Sequence, residues 1–69
     1  MNQTHMTFDM MASTFAEEFL RMGFSPEGVL ALFQSPTYSG PHSVYLLRGE
    51  EWVHALIQRI ASREENAHA

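Results

Sequence analysis

Apolar side chains in the first third of the chain recur at steps of three and four residues, the spacing of one face of an α-helix. This stripe contains Phe8, Met11, Phe15, Phe19 and Met22. It predicts a first helix over about residues 8–22, with Phe15 and Phe19 in the core, because burial against a neighbouring element produces such spacing. On the polar side, Glu17 and Arg21 are four residues apart and are expected to form an ion pair.

A sharp corner is predicted over residues 22–27, where the first helix ends and the second begins. Gly23 suits the position just after a helix, because glycine adopts the left-handed conformation without a steric penalty. Ser25 is a good N-cap, and Pro26 fits the first helical position, where its missing amide costs nothing. Phe24 lies between the two helices and is expected to fold inward as a buried residue.

Three shorter apolar runs follow the corner, and each is bounded by a proline or a glycine. The residue before Pro36 avoids the helical conformation, so the second helix should stop there. Pro41 is expected at the first position of the third helix, after Ser39 or Gly40 as its cap. Gly49 should close that helix. The second, third and fourth helices are therefore predicted over about residues 26–34, 41–48 and 50–63.

These elements predict one all-α domain, a compact bundle of four short helices over residues 7–63. Thr7 is expected to cap the first helix. The first and last helices should be the long ones and pack together, while the middle pair bridges them. Residues 1–6 and 64–69 are polar without a helical period and are expected to be flexible tails. No run alternates with the two-residue period of a strand.

Size and charge narrow the possible functions. A chain of 69 residues buries only about 60% of its unfolded surface and gains from a partner. A formal charge of −4, with arginine as the only strong base, argues against binding to nucleic acid or an anionic membrane. There is no long apolar span, no basic and apolar leader, and no cysteine, which together predict a cytoplasmic protein. The chain has arginine but no lysine, and this composition is statistically associated with bacterial genomes of high GC content.

Catalytic and cofactor motifs are missing from the sequence. The glycines do not cluster into a phosphate-binding loop, and no serine lies in a nucleophile elbow. We therefore expect neither an enzyme nor a bound cofactor or metal. One alternative stays open, a small metal- or ligand-binding protein that uses His42, Glu50 and His54. Glu50 and His54 are four residues apart and share a helix face, although two ligands do not make a site.

The leading hypothesis is a non-catalytic protein–protein interaction module, either an accessory subunit of a larger enzyme complex or a self-associating domain. It rests on a load of aromatic and methionine side chains that is large for so short a chain. Trp52 and Tyr38 either close the core or anchor a partner, because both residue types are favoured in interface hot spots. The candidate partner-binding residues are Met11, Met22, Phe24, Tyr38, Leu46 and Trp52.

The Met22-Gly23-Phe24 loop before a capped helix, with Ala31-Leu32 in that helix and Leu46-Leu47 in the next, resembles the ubiquitin-associated (UBA) domain. The resemblance covers about residues 15–48, and it implies a three-helix arrangement for that half of the chain. It also implies that the loop and the end of the third helix contact ubiquitin-fold proteins. The contact residues would then be Met22, Gly23, Phe24, Leu46 and Leu47. A UBA-like binder is thus the alternative function, provided that Met22 and Phe24 are exposed.

Overall fold

The four segments with helical periodicity form four α-helices in the computed structural model, which describes the backbone of residues 3–68 and the side chains of residues 7–64. The helices are α1 (Gln3–Arg21), α2 (Pro26–Gln34), α3 (Ser39–Arg48) and α4 (Glu50–His68). The described backbone contains no strand, which confirms the predicted all-α fold. The two outer helices have 19 residues each and pack against one another, and the shorter α2 and α3 contact both of them.

The core lies where the four helices meet. The buried residues that α1 adds to it are small. Ala12 and Ala16 are fully buried, so the neighbouring helices can approach α1 closely. Phe15 and Phe19, which we expected in the core, instead pack against its edge and stay partly exposed. The buried cluster consists of Ala12, Ala16, Val29, Phe33, Val44, Val53, Leu56, Ile57 and Ile60.

The corner between α1 and α2 has the predicted caps. Gly23 has a φ of 104°, and the Phe24 amide donates to the carbonyl oxygen of Phe19 at 3.1 Å. Together with the bond from Gly23 to Leu20, this is a Schellman motif. Ser25 then accepts a hydrogen bond from the Gly28 amide at 3.1 Å. Backbone groups at the end of α1 and at the start of α2 therefore find hydrogen-bond partners within the corner itself.

The start of α3 differs from the prediction. The helix begins at Ser39 rather than at Pro41, and Tyr38 is its N-cap without a side-chain hydrogen bond. Pro41 is the third residue of the helix and is buried. This position tolerates proline because amides in the first turn have no partner within the helix. The His42 amide, one residue later, donates to the Tyr38 carbonyl oxygen at 2.9 Å.

Gly49 alone joins α3 to α4. Its amide donates to the Tyr45 carbonyl oxygen at 2.8 Å and so closes α3. Its own carbonyl oxygen accepts from the Val53 amide at 3.2 Å and so begins α4. The backbone angles of φ 93° and ψ 164° lie in a region that is essentially open only to glycine.

Both outer helices are longer than the sequence predicted. The backbone is helical from Gln3 onward and as far as His68, over parts of the expected tails at 1–6 and 64–69. Thr7 consequently lies inside α1 and is not its cap, which corrects that prediction. No proline or glycine interrupts either segment, so nothing in the local sequence stops the helices. Residues 1, 2 and 69 lie outside the described backbone.

Two ion pairs join the C-terminal parts of α1 and α4. Glu17 lies 3.7 Å from Arg63, and Arg21 lies 3.7 Å from Glu64. The expected pair of Glu17 with Arg21 is replaced by these contacts, since α4 brings an opposite charge to each of them. Solvent-exposed pairs at this distance contribute about 0–1 kcal/mol each, so they orient the helix ends more than they stabilise them.

Candidate protein-interaction surface

Four aromatic rings form one contiguous group at the corner end of the bundle, with Phe19 at its centre. The Phe19 ring lies 6.1 Å from Phe15 in a stacked arrangement, 5.6 Å from Phe24 edge-on and 6.4 Å from Tyr38 edge-on. All three centroid distances fall within the favourable range for aromatic pairs, about 4.5–7 Å. We call Phe15, Phe19, Phe24 and Tyr38 the aromatic surface.

The caps of the corner hold Phe24 in this surface. Phe24 follows Gly23 in the Schellman motif, where a hydrophobic contact back to the last turn of the helix is common, and that contact is made here with Phe19. Gly28 leaves room on the other side, because a Cβ atom built there would lie 3.6 Å from the Phe24 ring and 3.3 Å from the Ser25 hydroxyl. Gly28 therefore leaves space for Ser25 and Phe24 of the corner.

Gly40 holds the other end of the surface by letting α3 approach α1. A Cβ atom at Gly40 would lie 3.2 Å from the Phe15 ring and 3.6 Å from the sulfur of Met11. Sequence reasoning treated Gly40 only as a cap and Phe15 only as core, so it missed this contact. The spacing of Ala12 and Ala16 could have indicated the contact. Small residues four apart on α1 mark the centre of its buried face, so the phenylalanines lie at the edge of that face.

Exposure separates this surface from the core. Phe24 is 41% exposed and Tyr38 is 42% exposed. The expectation that Phe24 is buried is therefore wrong, because the Schellman turn directs it along the outside of α1. Met22, next to this surface, is 67% exposed. A UBA-like binding loop requires that Met22 and Phe24 are exposed, and both are.

Leu46 and Leu47 lie elsewhere on the molecule. Both are exposed, by 71% and 49%, near the end of α3 where Arg48 binds Asp9. Tyr38, at the start of α3, contacts Phe19, which is ten residues after Asp9 on α1. A helix rises about 1.5 Å per residue, so the two leucines and the corner are at opposite ends of the α1–α3 contact.

Trp52 packs beside Arg48, at the end of the bundle opposite the aromatic surface. It is half-buried against the core, and the Arg48 guanidinium lies 4.9 Å from the centre of its ring. That guanidinium also binds the carboxylate of Asp9. Of the six predicted contact residues, Met11, Met22, Phe24 and Tyr38 lie in or beside the aromatic surface, whereas Leu46 and Trp52 do not.

Two of the three polar residues considered for ligand binding, His42 and Glu50, have partners within the fold. The Nδ1 atom of His42 lies 3.1 Å from the carbonyl oxygen of Phe33, and its ring stacks on Tyr45 at 6.0 Å. The Tyr45 hydroxyl lies 3.4 Å from Glu50, and His54 is exposed on α4. Among the residues that the structure describes, no group of three or more His, Cys, Asp or Glu side chains is arranged to hold a metal ion.

An open depression on the outer side of α1 contains two further carboxylates. It is lined by Asp9, Met10, Ser13, Thr14 and Glu17. Asp9 pairs with Arg48 and Glu17 pairs with Arg63, so both charges are engaged with neighbouring helices. Both carboxylates of this depression therefore already have an arginine partner on another helix.

Comparison with known proteins adds no assignment. No protein-family model matches this chain, and no curated protein and no solved structure matches it either. Over the described residues, no helix is both long enough and apolar enough to span a bilayer.

Proposed function

We propose that this chain is a non-catalytic helical interaction module that docks on a protein through the aromatic surface. It would act as an accessory subunit of a larger complex or by self-association. The observation that carries the proposal is the exposure of Phe24 and Tyr38 in direct ring contact with half-buried Phe19. Contiguous exposed apolar side chains on a small protein are typical of interaction sites.

The surface has the chemistry of an interface anchor. Aromatic side chains dominate the binding energy of protein interfaces, and tyrosine adds a hydroxyl that a partner can bind. Met22 adds a flexible and polarisable side chain at the edge, a type that adapts to a partner's shape. Met22, Phe24 and Tyr38 belong neither to the buried core cluster nor to the partly buried residues packed against it, so core packing does not account for them.

Local structure also presents the rings rigidly. The Schellman bond to Phe24 and the Ser25 cap restrict the corner, and Gly40 keeps α3 close beneath Phe15. A surface that is ordered before binding loses less entropy when the partner docks. This supports a docking role for the corner over a purely structural one.

A photo-crosslinking amino acid placed at Tyr38 tests the proposal in the native cell extract. The matched control carries the same group at Met10, which is also well exposed but lies on the outer side of α1. We expect a discrete crosslinked product from position 38 and not from position 10. A product with another protein indicates an accessory subunit, and one with a second copy indicates self-association. Equal or absent crosslinking at both positions would contradict the proposal.

A UBA-like binder of ubiquitin-fold proteins is the second candidate, and the exposure of Met22 and Phe24 favours it. Leu46 and Leu47 lie at the far end of α3, so the contact would be limited to the corner. Titration of the ¹⁵N-labelled chain with ubiquitin tests this candidate by NMR. Unchanged amide signals at Met22, Gly23 and Phe24 would end it.

A further inference from the structure

The aromatic surface has two exposed carboxylates at its margin. Glu18 and Glu27 are exposed, and neither has an ion-pair partner within the described part of the chain. Arg21 is the one arginine on the adjoining turn, and it is directed toward Glu64 on α4 at 3.7 Å. The described side chains at this end of the bundle therefore carry more negative than positive charge, with Glu17, Glu18, Glu27 and Glu64 against Arg21 and Arg63.

Helix geometry places these carboxylates next to the apolar residues. Glu18 is three residues after Phe15 and four before Met22, and residues at these spacings are neighbours on a helix surface. Glu27 lies in the first turn of α2, beside Gly28, where a Cβ atom would lie 3.6 Å from the Phe24 ring. One carboxylate thus lies on the α1 side of the surface and the other on the α2 side.

We propose that the occupant of the aromatic surface is an amphipathic segment of a different protein, with Arg or Lys residues flanking its apolar side chains. This inference rests on the proposed docking function and specifies the partner. Charge complementarity raises the association rate and selects partners, and here the two charged groups without an ion-pair partner in the described structure, Glu18 and Glu27, are both negative. Guanidinium groups would meet Glu18 and Glu27 while apolar side chains cover Phe24 and Tyr38.

The same charges disfavour a second copy of this chain as the occupant. A two-fold interface brings the same patch of both subunits together, so the margin that carries Glu18 and Glu27 would lie within one interface with its own copy. Each copy also carries a formal charge of −4. Like charges brought together at an interface oppose association, which favours a cationic partner over self-pairing.

Two synthetic amphipathic helical peptides with an identical leucine and tryptophan face provide the probe. One has lysines and the other has glutamates at the flanking positions. The readouts are the Kd of each peptide and the amide signals of Gly23, Phe24 and Gly40 in the ¹⁵N-labelled chain. We expect the lysine peptide to bind about tenfold more tightly or better, which corresponds to about 1.4 kcal/mol. Both peptides should shift those amide signals.

Matched variants locate the charge effect. Glu27→Gln and Glu51→Gln each remove one exposed carboxylate from the first turn of a helix, but Glu51 lies at the opposite end of the bundle. We expect Glu18→Gln and Glu27→Gln to weaken the lysine peptide several-fold each, and Glu51→Gln by less than about twofold. The advantage of the lysine peptide should also decrease as salt shortens the Debye length from roughly 30 Å at about 0.01 M to roughly 3 Å at about 1 M.

The outcomes distinguish this inference from the proposed function. Equal affinities of the two peptides, or equal losses with Glu27→Gln and Glu51→Gln, would overturn the cationic partner and leave aromatic docking in place. Concentration-dependent dimerisation with shifts at Gly23 and Gly40 would make a second copy the occupant and overturn it as well. If neither peptide moves the amide signals of the surface, the proposed function fails together with the inference.

Discussion

Arg48 and Asp9 form a bidentate ion pair between residues 39 positions apart in the sequence. The Nη2 atom of Arg48 lies 2.8 Å from Oδ2 and 3.0 Å from Oδ1 of Asp9, and its Nε atom lies 3.2 Å from Oδ1. The same guanidinium lies over the ring of Trp52. One side chain of α3 therefore connects α1 and α4 at the end of the bundle opposite the aromatic surface.

Removing this pair is expected to destabilise the fold. Asp9→Ala should lower the free energy of unfolding by about 1 kcal/mol, the upper part of the range for partly exposed pairs, because the geometry is bidentate. Glu18→Ala, on the same helix, is the control and should change it by less than about 0.5 kcal/mol. Urea denaturation followed by circular dichroism measures both, and equal effects would show that the ion pair adds nothing.

Arginine is needed at position 48 for its shape as well as its charge. Arg48→Lys keeps the charge but loses the fixed two-nitrogen geometry of the guanidinium on Asp9 and its planar contact with Trp52. We expect it to cost most of what Arg48→Ala costs in unfolding free energy. Trp52 is the single tryptophan, so its fluorescence reports the change directly. A lysine variant as stable as the natural chain would contradict this prediction.

Gly49 is expected to tolerate no other residue without cost. Its φ of 93° and ψ of 164° are unfavourable for any side chain, although a Cβ atom there would meet nothing within 4 Å. Gly49→Ala should therefore destabilise by about 1–3 kcal/mol for conformational reasons alone. Asparagine, which tolerates the left-handed helical region, should not rescue the position, because ψ lies outside that region. Thermal melts of both variants test this, and a neutral Gly49→Asn would contradict it.

Two serine substitutions should have different effects. Ser25→Ala removes the N-cap of α2 and should lower stability by about 1 kcal/mol. Ser43→Ala is the matched control, because the Ser43 hydroxyl only donates back to the Ser39 carbonyl oxygen at 2.8 Å within α3, and alanine is the better helix former. It should be neutral or slightly stabilising. Denaturation midpoints compare the two, and equal losses would remove the capping role of Ser25.

Gly40 should control how closely α3 lies on α1. Gly40→Val introduces a side chain where even Cβ would lie 3.2 Å from the Phe15 ring, and overpacking costs about 1–3 kcal/mol. Phe15→Leu removes the contacting ring atoms, so the double variant should lose less than the sum of the two single variants. A double-mutant cycle measures this coupling, and additive losses would argue against the contact.

Much of the local structure was predictable from the sequence. The existence and order of four helices, the glycine after α1, and Ser25 and Pro26 at the start of α2 all appear as expected. These features depend on atoms within one or two helical turns, and caps act over that range. Gly23 and Ser25 therefore identify the corner without knowledge of the rest of the fold.

Only the tertiary structure decided which residues of that corner are available to a partner. Phe8, Phe15 and Phe19 follow a helical period, but Ala12 and Ala16 occupy the buried centre of α1, because two long helices that pack closely need small side chains between them. The Schellman turn directed Phe24 along the outside of α1, and the position of α3 left Tyr38 at the surface beside Phe19 and brought Arg48 to Asp9. Such contacts join residues far apart in the chain, so they depend on how the helices pack and cannot be read from local periodicity.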